Sequence, residues 1–561
     1  DYFTPTNLGV DDMMLDSPTN NFATFNSITP AQTDAIDLSE GNLSCNLNRY
    51  SYTSTMPLNN GSWYFEFCAT VVNFNIGLTT IVNSRTTFAS NSIFQLVNDG
   101  TVYSYNSTED SDTFTGAVAG DIYGFAVNGT AGTCDVYQNN TKVIEIRAIS
   151  TTDDIFFFAD RENVVAGRNV VNFGQDSSFA GNKTAQGNGG TGEDFYYTPP
   201  TGYKALNTDN LSAPAIALPT DHFNTALYTG NQTARSITGV GFQPDLLWGK
   251  VRSTTGSSFV VDSVRGLGND DSMGVLDTTD VNGEYLDESE QVLSFDSDGF
   301  SLGDNDPQES FKVNRTGQTY VAWNWKAGGT AVSNTDGTIT SSVSANPTAG
   351  FSIATFTGNQ TSGATVGHGL SQAPEMILVK GRSFADGWGV YHFPGMGNTH
   401  GLLLNSSVAE VDSVTYWNDT TAGASVFTLG NDTMINKTGQ TMLAYCFHSV
   451  EGYSKVGSYA GNANNDGTFI YTGFKPAFVL AKSYDYAYNW PMVDNKRGPY
   501  NVITKGLAAD VSDAELDNVA NSIDFVSNGF KLRNSHTMFN GSHNYIYLAF
   551  AESPFKTSNA R

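Results

Sequence analysis

"TGQTYVAWNWKAGG" (316–329) decides how this chain is built, because the same strand is written twice more, as "TGQTMLAYCFH" (438–448) and "GSHNYIYLAFAESPF" (541–555). Each copy alternates with a period of two, the side-chain repeat of an extended strand. Val321, Trp323 and Trp325 share one face; Leu443, Tyr445 and Phe447 repeat it, and Leu548 and Phe550 repeat it again. The opposite face carries Ala322, Ala444 and Ala549 at the matching place. A bulky apolar face backed by a small one suits a strand packed on both sides of a sandwich. The tryptophans therefore read as core, not as a ligand stack.

The repeat extends outward from that strand. "LYTGNQ" (227–232), "TFTGNQ" (355–360) and "SYAGNA" (458–463) open three units. A proline and an apolar strand follow in "GFQPDLLWGKVRS" (241–253), "SQAPEMILVKGRS" (371–383) and "GFKPAFVLAKSYD" (473–485), with Lys250, Lys380 and Lys482 in register. Two copies then carry Asp-x-x-Arg-Gly, at Asp262/Arg265 and Asp494/Arg497, where the middle copy reads "WGVYHFPG" (388–395). "SFDSDGFSLG" (294–303) matches "DFVSNGFKLR" (524–533). Units of about 100 residues are domain-sized, far longer than the roughly 20–50 residues of a solenoid repeat. Recurrence points to structural work for the shared charges. Each Asp/Arg pair pins a strand end, and each lysine lays its stem on the sheet with its head on a carboxylate.

Composition agrees. Tyr and Phe number 26 and 36 and Gly 56, and short apolar runs are bounded by Gly, Asn, Asp, Ser and Thr, the make-up of an all-β protein rich in turns. A chain of 561 residues exceeds one core and implies roughly three to five domains. The net charge of −28 repels phosphate backbones and anionic lipid, which argues against nucleic-acid and membrane partners. No apolar run reaches the roughly 20 residues of a membrane-spanning helix. The four cysteines show no metal-like spacing; a Cys68–Cys134 disulfide is one reading, and buried free thiols are the preferred one.

Before the repeats, "GSWYFEFCATV" (61–71), "NIGLT" (75–79), "GDIYGFAVNG" (120–129), "CDVYQNNTKV" (134–143) and "VVNFGQ" (170–175) succeed one another. This order resembles the SPRY-type, concanavalin A-like sandwich, with Asn139-Asn140 supplying the positive φ of a tight hairpin. The expected architecture is an all-β multidomain string of antiparallel β-sandwiches. A SPRY/concanavalin-like sandwich (1–205) is followed by a linker (206–222) and β-module copy 1 (223–328). A second linker (329–349) precedes copy 2 (350–450) and copy 3 (451–557).

Taken with "YFTPTN" (2–7), "DSPTNNFATFN" (16–26), "PPTGYKALNTDNLS" (199–212) and the repeat motifs, the chain resembles marine bacteriophage tail-fibre-like virion proteins. The resemblance implies a structural component of the virion surface, on tail or capsid, assembled in the host cytoplasm. Its leading form is a tail fibre or receptor-binding protein mediating host attachment. A capsid decoration or head-fibre protein and a tail-associated glycan depolymerase are the alternatives. The implied partners are other virion tail or capsid proteins, a host surface glycan or receptor, and further copies of the chain, a homotrimer by analogy with tail fibres.

No catalytic residues are nominated. "GNGGTG" (187–192) lies in a loop without the strand and helix a phosphate cradle needs, and GxxxxGK[ST], HExxH and GxSxG are absent. Asp296, Asp298, Asp304 and Asp306 are the calcium candidates, since clustered carboxylates suit a hard cation. Copy 3 places Ser527-Asn528-Gly529 where copy 1 has Ser297-Asp298-Gly299, so a turn is the preferred reading and no cofactor is expected. The ligand-binding candidates are Tyr484, Tyr486, Tyr488 and Trp490 of "YDYAYNW". In an extended backbone these would project four rings to one side, toward the apolar face of a sugar.

Overall fold

The structure is a computed structural model. It describes residues 20–558 apart from 29–37, 46–51, 81–91, 106, 112–114, 161–166, 269–271, 287–290, 305–310 and 312. "YFTPTN" and Asp306 thus lie outside the described residues. The chain divides into two compact units, Asp1–Ala213 and Pro214–Arg561.

The first unit is a two-sheet sandwich, as its strand order implies. Ser62–Ala69 buries all but its first residue, between Asp121–Asn128 and Asn169–Asn172, in the larger sheet. Phe65 stacks on Phe125 of that sheet at 5.0 Å and meets Phe157 of the facing sheet at 4.8 Å. Rings from both inner faces thereby fill the interior. The hairpin joining Thr133–Gln138 to Thr141–Arg147 turns on Asn139 and Asn140 at φ 49° and 68°, as expected. All four cysteines are buried free thiols. Glu66, which the sequence did not single out, is fully buried and fastens the 195–197 segment. It accepts hydrogen bonds from the Tyr64 hydroxyl, Asn172 Nδ2 and the Tyr196 and Tyr197 amides.

The second unit contains the three copies, and each builds the same four-stranded sheet. In spatial order these are an opening strand, the closing Ala-centred strand, the lysine strand and an outer strand. Copy 1 uses Phe223–Thr229, Thr319–Trp325, Leu246–Val251 and Ser258–Asp262; copy 2 uses Phe351–Thr357, Thr441–Phe447, Met376–Gly381 and Trp388–His392. Copy 3 uses Ser454–Ala460, Asn544–Pro554, Phe474–Ser483 and Pro491–Asp494. The register repeats too: Ala322 faces Gly249, Ala444 faces Val379 and Ala549 faces Val479. A smaller sheet covers each Ala face. In copies 1 and 3 it includes the hairpins Val292–Asp296/Gly299–Leu302 and Ile523–Val526/Gly529–Leu532, whose links confirm the Asp-Gly and Asn-Gly turns.

The bulky faces go elsewhere. Trp248, Trp323, Leu378, Tyr445, Phe478, Leu548 and Phe550 belong to one hydrophobic core shared by all three copies, while the Ala faces line three private cores. Phe223 of copy 1 stacks on Phe550 of copy 3 at 4.9 Å, Trp323 meets Phe478 at 5.4 Å, and Phe447 of copy 2 reaches Phe550 at 6.1 Å. Fully burying one such aromatic or aliphatic side chain contributes about 1.5–3 kcal/mol. The common interior keeps a cavity of only about 20 Å³, too small for a ligand. The 329–349 segment, read as a connector with room for one strand, forms two, Val332–Asn334 and Ser341–Asn346, which extend the copy 2 sheet beyond its opening strand. Alternation of Val343 and Ala345 with serine is the signal for that edge.

A copy cut out alone would expose the bulky apolar face of its sheet. Residues 350–450 expressed by themselves are expected to bind a hydrophobic dye and to lack near-ultraviolet circular dichroism; a soluble, cooperatively folded monomer would contradict the shared core.

Candidate functional site

Three sheets meeting in one interior create three seams, each with the same plan. The lysine of one copy reaches into the loops of another: Lys380 Nζ donates to Val281 O of copy 1, Lys482 Nζ to Ser407 O of copy 2, and Lys250 Nζ to Val511 O of copy 3. The contacts run cyclically, 2 to 1, 3 to 2 and 1 to 3, so the ring closes. The lysine heads therefore sit on backbone carbonyls, those of a neighbouring copy and, for Lys380 and Lys482, also Asp386 O and Ser483 O of their own, not on carboxylates as the sequence suggested. Loop carbonyls have no strand partner and need a donor. Burial pulls all three ammonium groups down to about 8, which leaves them protonated donors at neutral pH. Beside each lysine a second donor crosses the seam. Trp388 Nε1 bonds Asp277 O, Trp490 Nε1 bonds Leu403 O, and in copy 1 the Thr278 hydroxyl bonds Ala509 O.

Two seams are locked by buried ions. Arg265 and Asp262 have no exposed side-chain surface and pair at 2.5 Å. Asp262 also accepts from the Tyr445 hydroxyl of copy 2 at 2.7 Å, while Glu284 joins Arg265 to Arg382 of copy 2. Burial, with Asp262 alongside, pushes the Tyr445 phenol well above its usual value, so it remains the donor. The seam between copies 3 and 1 repeats this. Arg497 pairs with Asp494 at 2.5 Å, Asp494 accepts from Trp323 Nε1 at 3.1 Å, and Glu515 joins Arg497 to Arg252. Every member has its partners, the condition under which buried charge is tolerated.

The seam between copies 2 and 3 is rewritten at all of these places but one. His392 replaces the aspartate, Gly395 the arginine, Phe550 the hydroxyl- or indole-bearing ring, and Tyr484 the cross-seam arginine. The glutamate alone persists. Glu284, Glu515 and Glu410 donate their amides to the carbonyls of Arg382, Arg252 and Tyr484 respectively. With no aromatic donor available, a neutral group is the one that can be buried there. His392 Nε2 donates to Tyr547 O at 3.4 Å, and burial draws the imidazole down to about 4. Glu410 keeps its position without its guanidinium. Its carboxyl is raised by burial, with His400 opposing and Asp485 and Asp412 adding to the rise.

The sequence's aromatic candidates lie at this third seam, but not as a ladder. The lysine strand ends at Ser483 and the backbone bends through 484–486, so the alternation that would align four rings is lost. Trp490 is buried in the shared core and Tyr484 packs half-buried against it. Tyr486 is 46% exposed and stacks on His543 at 4.3 Å, and Tyr488 meets His536 edge-on at 5.5 Å. Two of the four rings thus remain on the surface. An open polar groove of about 330 Å³, lined by Ser333, Ser342, Thr355, Thr357 and Arg382, lies on the extended copy 2 sheet.

The calcium candidates are engaged in turns. Asp298 accepts from the Gly239 and Gly241 amides, and Asp296 from the Ser294 and Ser301 hydroxyls; Asp304 is exposed. Among the described residues no group of three or more His, Cys, Asp or Glu is placed to hold a metal.

A family model described as "Domain of unknown function (DUF7483)" matches residues 218–554, taking in all three copies as one unit. No curated protein sequence matches the chain. Among solved structures it is similar to the TRIM65 PSpry domain. The identity is 13% and the TM-score 0.21, over 27% of this chain and 88% of that one, a likeness too slight to carry an argument.

Two outcomes follow from the seams. Asp262→Asn removes the nearest counter-charge of the buried Arg265, leaving it Glu284 alone, and is expected to cost the second unit about 3–5 kcal/mol in denaturant unfolding, against about 1.5–3 kcal/mol for Tyr445→Phe. For His392 the folded pKa of about 4 lies below the ordinary 6.5. Its contribution is therefore whole above pH 6.5 and is lost as pH falls toward 4. His392→Leu should make the acid-side loss of stability shallower by about 3 kcal/mol; an unchanged pH profile would refute the buried neutral imidazole.

Proposed function

We propose that the chain, which belongs to the DUF7483 family, is a non-enzymatic structural protein of a bacteriophage virion surface, a tail fibre or receptor-binding protein that holds a host surface glycan. The observation that carries this reading is a pair of surface rings at the third seam, one exposed and one half-buried. Tyr486, 46% exposed, stacks on His543, and the half-buried Tyr488 meets His536 edge-on. Flat rings with a hydroxyl at the rim suit the apolar face of a sugar and its flanking hydroxyls. The resemblance to marine phage proteins supplies the setting. A depolymerase would need two carboxyls free to act across a groove. The buried aspartates of the repeat, Asp262 and Asp494, are instead consumed by arginines and seam donors. Further copies of the chain, a homotrimer by analogy with tail fibres, remain part of this reading beside the three copies within one chain.

Fluorescently labelled protein is expected to decorate phage-susceptible bacteria and to compete with adsorption. Tyr486→Ala combined with Tyr488→Ala should weaken labelling about tenfold while leaving the unfolding midpoint unchanged. Wild-type protein that neither labels nor competes would overturn attachment and favour a capsid decoration role.

A further inference from the structure

The three seams act as internal controls for one another, and they show what one of them lacks. In the first, Arg382 Nε reaches Glu284 at 2.8 Å; in the second, Arg252 grips Glu515 through Nε at 2.8 Å and Nη2 at 2.9 Å. Each glutamate is fixed by the same backbone bond, its amide donating across the seam to the carbonyl of the residue that carries the guanidinium. At the third seam that bond is intact, from Glu410 N to Tyr484 O at 2.7 Å, but the residue across it is a tyrosine. Gly395, in place of Arg265 and Arg497, removes the second guanidinium as well. The Glu410 carboxylate makes no ion pair among the described residues. The charged groups around it are Asp412, Asp485 and His400, with the Tyr484 ring alongside. Asp412 sits opposite His400 on the neighbouring strand, and Asp485 is oriented by the Asn544 amide and side chain.

We propose that this place is a receptor for an arginine side chain of a partner protein: Glu410 takes the guanidinium, Asp412 and Asp485 add negative potential, and Tyr484 offers a flat ring beside it. The chemistry is that of the other two seams, with the cation supplied from outside. A glutamate whose main chain is already fixed by a seam bond has only its side chain left to order when it takes a planar bidentate donor. An aromatic ring next to it suits a guanidinium better than an ammonium. The proposal does not rest on glycan attachment, since it uses Glu410 and Tyr484 rather than the Tyr486 and Tyr488 rings.

The test is fluorescence polarisation of a labelled Gly-Arg-Gly-Arg-Gly peptide with the full chain at physiological salt. Because a net charge of −28 attracts any cation, the controls decide. Glu410→Gln is expected to weaken binding about tenfold, whereas Asp513→Asn, the same charge change at an exposed loop position, leaves it unaltered. Tyr484→Arg rebuilds the intrachain bridge; it should abolish peptide binding and hold or raise the unfolding midpoint. Wild-type protein that fails to bind, Glu410→Gln or Tyr484→Arg binding like wild type, or equal binding of the lysine analogue would overturn the assignment.

Discussion

Burial of the bulky faces of three homologous sheets in one interior is the constraint on which the rest of the second unit depends. A sheet with two apolar faces cannot stop at a two-layer sandwich, because its covering sheet hides only one of them. Trp323, Tyr445 and Phe550 would face water if each copy stood alone. Cyclic closure removes that surface in one step, and it accounts for a family whose matched region spans the whole ring and not a single repeat.

Closure moves the difficulty to the seams, where loop carbonyls and ionisable side chains are drawn out of water. The lysines and seam tryptophans satisfy carbonyls, and the Asp/Arg/Glu/Arg chains satisfy one another. Buried charge persists only where its whole partner set is present. The third seam obeys the same rule by the opposite route. Once the donor ring is Phe550, the aspartate's place is held by a neutral histidine and the arginine's by glycine. Relieved of ionic locking, that seam is also where two surface tyrosines collect with a glutamate that makes no ion pair among the described residues. Recognition surfaces are easiest to place where the fold asks least of the side chains.

Much of this was legible in residue order. The period of two, the Ala-backed aromatic face, the Asn-Asn and Asp-Gly turns and the structural character of the shared Asp, Arg and Lys residues all stand as read. The lysine partners were not legible, because a head group on a long stem chooses among groups brought near only by another copy. Nor was the fate of "YDYAYNW", whose alternation would align four rings in a strand; the strand ends at Ser483, where the chain must turn along the seam. Glu410 carried no local signal at all. It stands out only when the three seams are superposed.

The sequence by itself determined the all-β class, the sandwich preceding the repeats, the three copies and their register, since side-chain period and turn chemistry are local properties. Tertiary structure decided that the copies share one core, which charges face each other, and which aromatic residues reach solvent. Those outcomes depend on groups more than a hundred residues apart competing for the same buried space, and no local pattern encodes who wins.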